Sequence, residues 1–133
     1  MNHRYGIDTS VLVRLLTGDP AADYQKTVAA FEKRLEAEPQ AELFASNQVI
    51  GEAYIALQHH YGIAKHQARA ALLSVLTSGL CSPQNGAAVL TALQTNQGCG
   101  LLDRLIVDDY SARGMTVVTH DRRMNKLPGV EKL

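Results

Sequence analysis

The sequence has no tryptophan and only two phenylalanines beside five tyrosines. That is too few for an extended aromatic platform on which single-stranded nucleic acid could stack its bases. Its two cysteines, Cys81 and Cys99, fit no metal-finger spacing, and one pair in a chain of this size is not a disulfide framework; both are read as reduced structural residues. No apolar run approaches the roughly 18 residues of a membrane span, and Met1–Arg4 leads into strand-like sequence rather than a secretory core. The expectation is a soluble, cytoplasmic protein with no membrane partner. An excess of one charge is missing too: thirteen basic and thirteen acidic residues cancel, so nucleic-acid binding would have to come from local clusters.

What the chain does have is enough apolar sequence, 46% of 133 residues, to close one core but not two, so one domain over residues 1–133 is expected. Short β-branched or apolar runs alternate with longer amphipathic stretches, the pattern of a parallel sheet with helical crossovers. Strands are predicted at His3–Ile7, Leu43–Ala45, Gly79–Ser82, Met115–Thr119 and Val130–Leu133. Helices are predicted at Val11–Leu16, Ala21–Glu38, Asn47–Tyr61, Lys65–Leu76, Gly86–Thr95 and Leu101–Arg113. Gly18-Asp19-Pro20, Pro39, Gly62, Gly98-Cys99-Gly100 and Gly114 punctuate them. The fold class is therefore α/β, with a central parallel sheet of about five short strands, and ligands are expected at the strands' carboxyl ends.

Four carboxylates stand out. On its helix Glu52 has Gln48, Val49, Ile55 and Ala56 one turn away, and Asp103 has Cys99, Gly100, Ile106 and Val107; neither finds a local counter-charge. By contrast Asp108 has Arg104 four residues before it and Asp109 has Arg113 four after, which assigns both to exposed surface pairs. Asp8 and Asp121 sit at strand ends, where an N-cap role suffices for either one alone. Together the four suggest an acidic cluster that repels itself without a cation, and an all-oxygen donor set favours Mg²⁺ or Mn²⁺ over zinc. His59, His60 and His66 straddle the Gly62 break and do not read as a site for one ion.

At these residues the chain resembles a known family. Asp8-Thr9-Ser10 followed by Val11-Leu12-Val13 is similar to the opening of PIN domains. Val49-Ile50-Gly51-Glu52, Asp103-Arg104-Leu105-Ile106 and Val117-Val118-Thr119-His120-Asp121 follow in order, resembling the family's later motifs, and Lys126-Leu127-Pro128-Gly129-Val130 resembles the ending of VapC-type members. The resemblance implies a Rossmann-like three-layer sandwich and a metal-dependent endoribonuclease, the toxin of a VapBC-type toxin–antitoxin pair. In it Asp8, Glu52 and Asp103 would hold Mg²⁺ or Mn²⁺, and Asp121 would complete the site as ligand, neighbouring group or base. It also implies an RNA substrate, a VapB-like antitoxin docked near Val11–Leu16 and Val28–Leu35, and a homodimer. Thr9, Ser10 and Thr119 would support the carboxylates, although capping explains them equally well.

Around an acidic centre in a chain without net charge, RNA would need a basic rim. Arg14, Arg104, Arg122, Arg123 and Lys126 are the candidates, with solvated surface the alternative for at least half of them. Two positions depart from the family pattern. Gly100 stands where many VapC-like sequences have a further aspartate, and Arg104 stands where they have alanine, so Arg104 either replaces part of a cation or grips phosphate. A receiver domain would need paired acids after the first strand, and a dehalogenase-like phosphatase would need an aspartate where Ser10 stands. The remaining rival is a PIN-fold module that binds RNA or a partner without cutting.

Overall fold

A computed structural model of the chain describes residues 2–133. The chain opens with β1 (Arg4–Ile7), then α1 (Thr9–Thr17), α2 (Ala21–Ala37) and β2 (Glu42–Ala45). Next come α3 (Asn47–His59), α4 (Lys65–Leu76), β3 (Ser82–Pro83), α5 (Ala87–Gln94) and α6 (Leu101–Ser111). It ends with β4 (Val117–Thr119), a 3₁₀ turn at Met124–Lys126 and β5 (Val130–Lys132). All strand pairs are parallel and helices connect most of the strands, the α/β arrangement that the alternating pattern predicts.

The helix ends follow from local chemistry. Asp8, in extended backbone, caps α1 by accepting from the Val11 amide at 3.1 Å, and Gly18 closes the helix at φ 66°, a left-handed turn that glycine adopts without strain. Ser46 caps α3 in the same way as Asp8 caps α1, accepting from the Val49 amide at 3.2 Å. On α3 the buried residues Ile50, Ala53, Tyr54 and Leu57 recur at helical spacing, and with Leu12, Leu72 and Val89 they form the main core. Gly51 belongs to the same helix and faces α6 closely; a Cβ there would come 3.1 Å from Leu102 Cδ2, so the leucine would have to shift slightly.

The strands form two sheets instead of the single one expected. β1, β2 and β3 make one, with Arg4 opposite Glu42 and Ile7 opposite Ala45, and β4 and β5 make the other. Each sheet is tied to its own core. Val107, Val117 and Met124, with Leu127 and Val130 against them, form a second cluster apart from the main one. The strand between two neighbours in a central sheet is covered on both faces, whereas Val118 is 58% exposed and β1 buries only Ile7. β1 and β4 each have one strand partner.

Cys81 and Cys99 are buried free thiols, and burial pushes the Cys81 thiol up from 9.0 to about 11. Its thiolate fraction near pH 8 should fall about a hundredfold below that of the unfolded chain. In a Cys99→Ser variant, a thiol reagent should label the native protein at least that much more slowly than the denatured one. Equal rates would show that Cys81 is accessible.

Candidate functional site

Asp8 leaves the carboxyl end of β1, where a parallel sheet presents its ligand groups. The Ser10 hydroxyl donates to Asp8 Oδ1 at 2.8 Å, and this bond, followed by the one from the Val11 amide, holds the Asp8 carboxyl below the usual carboxylate range. The next residue reaches to another element: the Thr9 hydroxyl donates to Glu52 Oε1 at 2.5 Å, in the range of a charge-assisted bond. Gln48 Nε2 lies 3.5 Å from the other Glu52 oxygen. The α3 carboxylate is thus tied to the end of β1, and the hydroxyls of Thr9 and Ser10 both support carboxylates while Asp8 itself supplies the cap.

Asp103 lies half-buried in the first turn of α6, and its carboxylate has no hydrogen bond or ion pair among the described residues. Asp121 follows β4 and is engaged locally. Its Oδ1 accepts from the Arg123 and Met124 amides, each at 2.8 Å, and its own amide donates to Thr119 Oγ1 at 3.0 Å. The expected convergence of four acids does not form: among the described residues, no three Asp, Glu, His or Cys side chains come together as a metal site. β4 pairs with β5 and has no strand pairing with β1, and the Asp121 carboxylate is taken up by its own turn.

The basic residues divide. Arg14 is 3.4 Å from Asp23 and is thereby engaged between α1 and α2; Arg122 is exposed. Arg104, Arg123 and Lys126 line one recess. The expected pairing of Arg104 with Asp108 is also replaced. Arg104 donates to the Gln97 and Cys99 carbonyls at 2.6 and 3.1 Å, because the Gly98 turn brings those acceptors across the start of α6. Asp108 instead accepts from Asn47 Nδ2 at 2.9 Å and Asn85 Nδ2 at 3.2 Å. Asp109 keeps its Arg113 partner at 2.9 Å, and its carboxyl is lowered first by a bond from Asn85 and then by Arg113.

Asn47 and Asn85 were not legible as a network, since asparagines at a helix start and in a turn already have local reasons to be there. Beside them, Gly51, Ile55, Leu102 and Ile106 line an apolar groove of about 520 Å³ between α3 and α6, with Glu52 at its margin.

In this parallel α/β domain an aspartate at a strand's carboxyl end is followed by a threonine whose hydroxyl donates to a carboxylate on a neighbouring helix, the end of the sheet at which such folds collect ligands. The chain belongs to the PIN-domain family, whose model matches residues 5–130. PIN domains are generally nucleases. Among solved structures the chain is similar to one described as VapBC2 from Rickettsia felis bound to a DNA fragment from their promoter, at 16% identity and a TM-score of 0.40, over 98% of this chain and 97% of that one. No curated protein matches it. No helix among the described residues is long and apolar enough to cross a membrane.

Proposed function

We propose that this PIN domain is a metal-dependent endoribonuclease, the toxin of a VapBC-type pair, centred on Asp8 and Glu52. The observation that carries the reading is the Thr9 hydrogen bond, which ties the Glu52 carboxylate to the residue that follows the strand-end aspartate. Family membership and the order of the four motifs support it. The donor set also fits the ion: Mg²⁺ keeps most of its waters and is held by one or two carboxylates together with substrate phosphate. When bound, it would lower the pKa of a water and offset charge on the phosphate oxygens. Asp8 and Glu52 supply the oxygens, and Thr9 and Ser10 orient them. Asp103 and Asp121 join the site in this reading through their motif positions. The RNA substrate, the VapB-like antitoxin and the homodimer belong to the same reading.

The test is cleavage of an RNA pool by purified protein in Mg²⁺, in Mn²⁺ and in EDTA. Discrete fragments that form with either metal and disappear with EDTA are expected. A second reading, a PIN-fold module that binds RNA without cutting it, is favoured by the failure of three acids to converge. Intact RNA under every metal condition, with binding retained, would establish the module and overturn the nuclease.

A further inference from the structure

The recess lined by Gly98, Cys99, Arg104, Arg123, Lys126 and Leu127 has a volume of about 530 Å³, and no acidic side chain lines it among the described residues. In a chain whose charges cancel, three cations around one concavity are a strong local excess. Two of them stand on the short turn after β4, and the third comes from the first turn of α6. The arginine is also held in place. The Gln97 and Cys99 carbonyls fix two of its N–H groups, leaving three of the guanidinium's five donors for a ligand. Gly98 makes room for it: at φ 80°, a Cβ there would come 3.2 Å from Arg104 Nη2. The loop is shaped around the guanidinium.

We infer that this recess binds a phosphodiester group of RNA, with Arg104 as the oriented fork and Arg123 and Lys126 as flanking charges. Planar arginine donors suit paired phosphate oxygens, and lysine adds a point charge. The inference rests on the ribonuclease reading for its choice of polyanion.

The experiment is fluorescence anisotropy of a short labelled RNA in EDTA, so that the RNA stays intact, over a range of salt concentrations. Arg104→Ala, Arg123→Ala and Lys126→Ala should each weaken binding by roughly threefold to tenfold and make the log K against log salt plot shallower by about 0.7. Lys33→Ala, on the exposed surface of α2, should change neither. Arg104→Ala also removes the loop's two carbonyl bonds, so Arg123→Ala and Lys126→Ala decide the matter if it misfolds. Wild-type affinity and slope in those two variants would overturn the recess even where wild-type protein cuts RNA with metal. Wild-type protein that neither binds nor cuts RNA would overturn both readings. Inorganic phosphate or polyglutamate displacing the label as well as unlabelled RNA does would overturn the nucleic-acid assignment.

Discussion

Asp8→Asn protein is expected to fold as the wild type does and to cut RNA on the order of a thousandfold more slowly, the loss that corresponds to several kcal/mol of metal-borne transition-state stabilisation. The substitution isolates charge. Asparagine caps a helix about as well as aspartate, so its side-chain oxygen can still accept from the Val11 amide and the Ser10 hydroxyl, the two bonds that Asp8 makes at the start of α1. What is lost is the anionic oxygen that would hold a divalent ion. Glu52→Gln should behave similarly. Thr9→Val, which removes the hydroxyl bond to Glu52 Oε1 while keeping both charges, should cost about 10- to 100-fold, the usual effect of losing a group that orients a ligand. Single-turnover rates at saturating Mg²⁺, with melting curves alongside, measure all three. An Asp8→Asn rate within a few-fold of wild type would remove Asp8 from the chemistry.

The largest stability effect is expected at Asn47, far from any role the sequence suggests for it. Its side chain is 6% exposed, and its Nδ2 donates to the Leu105 carbonyl and to Asp108 Oδ2, both at 2.9 Å. Asn47→Asp would replace that double donor with a second acceptor facing a carbonyl and a carboxylate. A buried charge without a partner costs about 3–5 kcal/mol, a large part of the roughly 5–15 kcal/mol that holds a typical domain together. Asn47→Ala, which leaves the partners unpaired but adds no charge, should cost about 1–3 kcal/mol.

The sign of the pH dependence follows. Burial and Asp108 would raise the introduced carboxyl's folded pKa above its unfolded value. The penalty is then present at neutral pH, and it shrinks as pH falls and the group takes up a proton in the folded state. Urea denaturation of wild type and both variants at neutral and mildly acidic pH checks this. An Asn47→Asp midpoint equal to wild type at neutral pH would mean that the α3–α6 contact does not depend on this amide.

The same residue shows where reading the sequence stops. Asn47 after Ser46 reads as the start of a helix, and it is one. That its amide also crosses to α6, nearly sixty positions away, depends on two helices packing close together at Gly51. Arg104 and Asp108 show the reverse case: a helical spacing suggests a pair, and two loop carbonyls take the arginine instead.

By itself the sequence determined the order of the elements and most helix starts, because caps, left-handed glycines and apolar periodicity act within a few residues, while the third strand lies at Ser82–Pro83 and not at Gly79–Ser82. It also determined the family, the strand-end place of Asp8 and the lack of a counter-charge for Glu52 on its own helix. Only the tertiary structure decided which strand edges pair. All five strands have only two to four residues, too few side chains to specify a neighbour. The folded chain put β4 with β5, left Asp121 capping its own turn, tied Glu52 to Thr9 next to Asp8, and gathered three scattered cations around one recess.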